Sequence, residues 1–217
     1  MTPDSPTLES QLNADERGLL ASLSTPRRIQ DFLDAVTYEA EYFNRSPLRV
    51  LRERQGHCLD GALFAAAALR RLGHRPRVLD LTPEPLMDDD HVLAVFEQGG
   101  GYGAVAKSNF AGLRYREPVF RTVRELVMSY FEDYFNTLGR KTLRGYTRLL
   151  DLGRYDAAGW ETNDAACDSI EKQLQGMKSI SILTPEMIRH LTPVDARRMA
   201  AGLHGADEAG LFKPGIV

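Results

Sequence analysis

Apolar positions first fall into a helical rhythm after Thr25-Pro26. A threonine suited to capping and a proline suited to the first turn precede RRIQDFLDAVTYEAEYF, where Ile29, Phe32, Leu33 and Val36 share one face. Ser46-Pro47 interrupts the pattern, and LRVLRER reads as a short amphipathic connector. The next run has no polar face. After Gln55-Gly56-His57-Cys58, LDGALFAAAALRRLG is apolar on nearly every side until Arg70 and closes at Gly73. A helix hydrophobic all round is a buried helix. β-like runs follow in RPRVLDLTP, HVLAVFEQ and YGAVAKSN, and Gly99-Gly100-Gly101 between the last two is hairpin chemistry. Glu117-Pro118 predicts a second long helix, with Val119, Val123, Leu126, Val127, Tyr130 and Tyr134 at helical spacing. Beyond Thr142 the pattern weakens to a polar stretch around Glu161 to Ser169, the run SISIL, and a last helix after Thr184-Pro185.

No internal repeat, low-complexity tract or linker divides this order of elements. It predicts a loosely ordered arm over 1–24, then one α+β domain over 25–217 with a C-terminal extension from about 140. With 43% apolar and 26% charged residues the chain is neither disordered nor fibrous. At this length about 70% of the unfolded surface can be buried, so the core needs no staples. The 27 basic and 30 acidic side chains leave a formal charge of −3, which predicts no nucleic-acid and no membrane partner. No apolar run approaches the roughly 20 residues that span a bilayer, and the first residues lack a basic-then-apolar signal pattern. Cys58 and Cys167 make no disulfide framework, so a cytoplasmic location is expected.

Each thiol then needs its own explanation. Cys58 stands where a glycine-containing turn enters the Ala-rich helix, amid unpaired N–H groups and the positive end of the helix dipole. That setting lowers a thiol pKa and suits covalent catalysis if a base is near. Its own N–H, with a donor such as Gln55, would form an oxyanion hole. Cys167, in NDAACDSI, reads as a small buried hydrophobe. His91, which opens an apolar strand after Asp88-Asp89-Asp90, is the candidate base. His57 adjoins Cys58 but points elsewhere from a helix start, and His74, His190 and His204 accompany no other chemistry.

Hairpin arithmetic supplies a third member. A two-residue turn at Gly99-Gly100 sets His91 opposite Ser108, and a three-residue turn sets it opposite Asn109. An amide oxygen accepts a ring N–H firmly, so Asn109 is the expected orienter and Ser108 a support. The run Asp88-Asp89-Asp90-His91 reads as a solvated acidic loop rather than a metal site, because consecutive carboxylates cannot all converge. No cofactor and no metal are expected.

Gly56-x-Cys58, the small apolar helix to Leu72-Gly73, the strand RPRVLDLTP and the histidine strand Asp90-His91-Val92-Leu93-Ala94-Val95 together resemble the transglutaminase-like cysteine superfamily, in a bacterial-type member. The resemblance covers residues 50 to 110 and implies a papain-like core, a buried helix on an antiparallel sheet, with extra C-terminal helices. It departs at the third element, where AVAKSNF stands in place of a strand ending in aspartate. It implies a thiol enzyme acting on an amide or thioester carbonyl of a peptide, protein or small molecule. Cys58, His91 and Asn109 would form the triad of that enzyme, and water or an amine would resolve its acyl intermediate. Two alternatives stay open. One is a non-catalytic binding or scaffold domain of the same fold. The other is an arylamine-acetyltransferase-like acyl carrier, since Arg54, Gly56, Cys58 and Asp60 resemble that family's R-x-G-x-C-x-D/E pattern.

Overall fold

The computed structural model describes residues 7–39 and 43–214. Its helices and strands run α1 (Ala14–Ser22), α2 (Pro26–Asp34), β1 (Thr37–Tyr38), α3 (Pro47–Glu53), β2 (Gln55–Gly56), α4 (Cys58–Arg71), β3 (Arg77–Pro83), β4 (His91–Gln98) and β5 (Gly101–Val105). The second half continues with β6 (Arg116–Phe120), α5 (Val123–Met128), β7 (Leu143–Tyr146), β8 (Leu150–Asp151), α6 (Asp164–Gln175), β9 (Ile180–Ser181), α7 (Pro185–Arg189) and α8 (Ala196–Gly202). The fold is α+β: seven strands form an antiparallel sheet in the order β6-β5-β4-β3-β7-β9, with β8 also paired to β3. The Ala-rich run becomes α4, buried from Leu59 to Leu69.

Alternation along β4 divides the core. Val92, Ala94 and Phe96 join the α4 side with Val78 of β3, while Leu93 and Val95 join the α5 side with Leu79 and Leu81. This is the period-2 pattern of a strand covered on both faces. Between β4 and β5 the turn is the two residues Gly99-Gly100, whose φ of 60° and 81° suit glycine at little cost.

Three expectations are corrected. The arm over 1–24 is, from residue 7, part of the core: Asn13 caps α1, and Leu8, Leu12, Leu20 and Leu23 are buried against α4's cluster. Residues 1–6 lie outside the described residues. The helix opened by Glu117-Pro118 is instead β6, followed by the short α5 that Thr122 caps. Proline lacks an N–H and suits an edge strand, which β6 is, and Val119 faces outward, 70% exposed. The region beyond 140 is no mere extension, because β7 and β8 both pair with the central β3. Two smaller differences follow the same logic. α2 stops at Asp34, and the Lys107 ammonium takes the carbonyls of Leu33 and Val36. The polar stretch near Asp164 is helical, with Ala166, Cys167, Ile170 and Leu174 forming its buried stripe.

Leu20 tests the first correction. Leu20→Ala is expected to cost about 2–5 kcal/mol in urea unfolding, as core truncations do, whereas a loose arm would register within about 0.5 kcal/mol.

Candidate active site

The start of α4 is fixed by a buried carboxylate. Asp60, fully buried, accepts the Arg45 N–H at 2.7 Å and the His57 N–H at 3.2 Å, and pairs with the Arg45 guanidinium at 3.4 Å. His57 Nε2 stands 3.5 Å from its other oxygen. Asp60 thereby holds the backbone of the residue before Cys58. A carboxylate at the third helical position is a capping signal readable in the sequence, where it otherwise counts only toward the acyl-carrier pattern.

Cys58 heads α4 on one side of the sheet. His91 opens β4, and by its place in the alternation it belongs with Leu93 and Val95 on the other side. The two come together at the sheet's end, where a cavity of about 50 Å³ is lined by both. A second cavity of about 420 Å³ also reaches Cys58, bounded among others by Tyr38, His57, Asp90 and Glu171. The Cys58 thiol donates to the Asp90 carbonyl at 3.9 Å. His91 is 5% exposed, and its Nε2 lies 2.8 Å from the Leu113 carbonyl oxygen. A carbonyl can only accept, so Nε2 carries the hydrogen and Nδ1 keeps its lone pair.

The electrostatics run against the expectation of an ionised thiol. Burial pushes the Cys58 thiol well up, the nearby Asp90 and Asp89 carboxylates add to it, and a hydrogen bond from the Val92 N–H only partly offsets them. Burial likewise lowers the His91 imidazole to about 4 against the raising effect of the Leu113 carbonyl. The helix dipole is worth a few tenths to about 2 kcal/mol, too little to overcome desolvation with two carboxylates at hand. Both shifts favour a thiol and a neutral imidazole at rest. The acidic run itself is less solvated than expected: burial raises Asp88 to about 6 and pushes Asp90 upward, and Asp88 accepts the Thr142 hydroxyl. Asp80 on β3 is buried with one carboxyl oxygen unpartnered among the described residues. Burial, then Asp90, holds its pKa far above the carboxylate range.

The remaining predicted residues are placed differently. The hairpin register pairs Ala94 with Val105, the two-residue-turn arithmetic, which sets His91 level with Ser108, but the ladder ends before either. Ser108 and Asn109 do line the small cavity with His91. Their side chains are engaged elsewhere: Ser108 Oγ accepts the Phe110 N–H, and the Asn109 amide exchanges two hydrogen bonds with the backbone of Asp207. The orienting acceptor on His91 is the Leu113 carbonyl, and no side-chain identity announces a carbonyl. Gln55 is exposed on the short parallel pair β1–β2 and lines neither cavity, whereas Tyr38, opposite Gly56 in that pair, lines both. Arg54 of the acyl-carrier pattern stacks on the Phe32 ring, its guanidinium 4.3 Å from the centroid. Among the described residues no three His, Cys, Asp or Glu side chains are grouped to hold a metal ion, and no helix is long and apolar enough to cross a membrane.

No protein-family model and no curated protein matches the chain. Among solved structures it is similar to Legionella pneumophila LapG in an EGTA-treated form, at 13% identity and a TM-score of 0.41, covering 77% of this chain and 99% of that one.

Two substitutions test the electrostatics. Asp90→Asn removes a like charge beside the thiol, so iodoacetamide labelling of Cys58 at pH 8 is expected to quicken about tenfold, and an unchanged rate contradicts the assignment. Asp80's carboxyl binds its proton more tightly folded than unfolded, where its pKa is 3.8. The stability it lends is therefore present at low pH and lost as pH rises. Asp80→Asn should raise Tm more at pH 8 than at pH 5 in thermal melts.

Proposed function

We propose that the chain is a thiol enzyme of the transglutaminase-like, papain-like kind that acts on amide or thioester carbonyls through an acyl-enzyme. The observation that carries this reading is the buried, neutral His91, its Nε2–H held by the Leu113 carbonyl, lining one cavity with a thiol at the start of a helix. Sulfur attacks the carbonyl carbon as His91 Nδ1 takes the thiol proton, so charge develops only as the C–S bond forms. The oxyanion is held by the N–H of Cys58 and by the Tyr38 hydroxyl, which replaces Gln55 in this role. Tyr38 stays protonated because burial raises its pKa. Collapse of the tetrahedral adduct passes the proton from Nδ1 to the leaving amine or thiol. Water or an incoming amine, deprotonated by the same nitrogen, then attacks the thioester carbonyl, and the C–S bond breaks as Nδ1 returns its proton to the Cys58 sulfur. The acidic surroundings of the thiol favour a second reading, a binding domain of the same fold without turnover.

Reaction with p-nitrophenyl acetate separates the two. The enzyme reading predicts a burst of one p-nitrophenolate per chain, with the acetyl group mapped to Cys58 and retained in Cys167→Ser. His91→Asn should slow acylation by about 10²- to 10⁴-fold. Because protonation of His91 removes the base, the wild-type rate should fall as pH drops through about 4, far below the ordinary histidine value of 6.5. Acetylation that ignores His91→Asn, or spares Cys58, establishes the binding domain instead.

A further inference from the structure

A segment after α8 forms part of the wall of the Cys58 cavity. Residues 209–212 line the larger cavity beside Cys58, and Gly210 and Phe212 also border the small cavity shared with His91. Two contacts seat the segment. The Asn109 Nδ2 donates to the Asp207 carbonyl at 2.7 Å, and Asn109 Oδ1 accepts the Asp207 N–H at 2.7 Å. This two-way exchange with one residue's backbone is what a neighbouring β-strand would offer, and it reads main chain without regard to side chain. Three residues on, Gly210 packs closely against the Tyr38 ring: a Cβ there would come within 2.5 Å of the ring and 3.1 Å of the Asn109 amide. Around them the Asp207 carboxylate accepts the Ala209 N–H, and Thr137 Oγ1 donates to the Phe212 carbonyl at 3.5 Å. None of residues 208–210 is buried, and the Asn109 bonds are solvent-exposed. Such a segment belongs to the low-stability end of a protein, where opening costs little.

We propose that Asn109 and Tyr38 form a peptide-binding subsite at the Cys58 cavity, and that the chain's own Asp207–Phe212 occupies it as a built-in competitor of peptide substrates carrying glycine over Tyr38. The inference rests on the thiol-enzyme reading for its consequence, since it selects peptides over small acyl donors. The occupancy itself does not depend on turnover. Asn109, expected from sequence to orient His91, becomes a backbone-reading group.

The test measures how fast a bulky thiol reagent, fluorescein maleimide, reaches Cys58 in the full chain. A Cys167→Ser background assigns the signal. Gly210→Val places a branched side chain where the Tyr38 ring lies and should quicken labelling about tenfold or more. Asn109→Asp, which cannot donate to the Asp207 carbonyl, should quicken it less. Far-UV circular dichroism and thermal melts establish that each variant is folded. A capped hexapeptide matching residues 207–212, added in excess, should restore slow labelling of Gly210→Val, whose subsite is intact, and restore it less in Asn109→Asp, whose subsite has lost its donor; the same peptide with valine for glycine should restore neither. Unchanged labelling in both folded variants overturns the proposal, as does a rise in Gly210→Val that the hexapeptide leaves in place. Labelling needs no catalysis, so failure here is distinguishable from an enzyme that fails to acylate.

Discussion

A single buried hydrogen bond selects the tautomer of the histidine beside the Cys58 cavity: His91 Nε2 to the carbonyl of Leu113. The acceptor has no proton to give, so the ring must supply one from Nε2, and burial denies it a second. The result is a neutral imidazole with one basic nitrogen of known identity. A side-chain amide in the same place offers both donor and acceptor and could turn over. A backbone carbonyl cannot, and it holds the tautomer for as long as the local fold holds.

The second constraint is where the sheet ends. Helix α4 covers one face, and His91 by strand alternation belongs to the other, so thiol and imidazole share a cavity only because both stand at the first residue of their elements. That makes the position of α4's first turn matter. Asp60 fixes it through the backbone of Arg45 and of His57, at the cost of burying a carboxylate next to an arginine. Removing one partner of such a buried pair is far more disruptive than the pair is stabilising. Burial, then the carboxylates of Asp90 and Asp89, push the Cys58 pKa up, which favours the protonated thiol at rest.

Much of this is legible in the sequence. Cys58 at the mouth of an all-apolar helix and His91 at the head of an apolar strand follow from residue pattern, and the structure has both elements where the pattern puts them. The Gly99-Gly100 turn is legible to within one residue. The misreadings have identifiable physical reasons. Leu8, Leu12, Leu20 and Leu23 are apolar but spread through a polar stretch, and only the α4 cluster they cover reveals their burial. Val119 mimics helical spacing because edge strand β6 is followed at once by the capped α5. Asn109 is the right residue type beside the right histidine, yet its amide turns toward Asp207, a partner 98 positions away that no local pattern could supply. The thiol's charge state escapes a sequence reading because desolvation depends on what surrounds a side chain, and periodicity reports only which face it occupies.

The protonation state of His91 is the most direct test of this chemistry. In a long-range ¹⁵N–¹H correlation spectrum assigned with His91→Asn, the geometry predicts one neutral ring between pH 8 and pH 5, protonated at Nε2 with Nδ1 showing the shift of a bare nitrogen. An imidazolium at pH 7, or a hydrogen on Nδ1, would contradict it, because the nitrogen assigned as the base would then have no lone pair to offer the thiol.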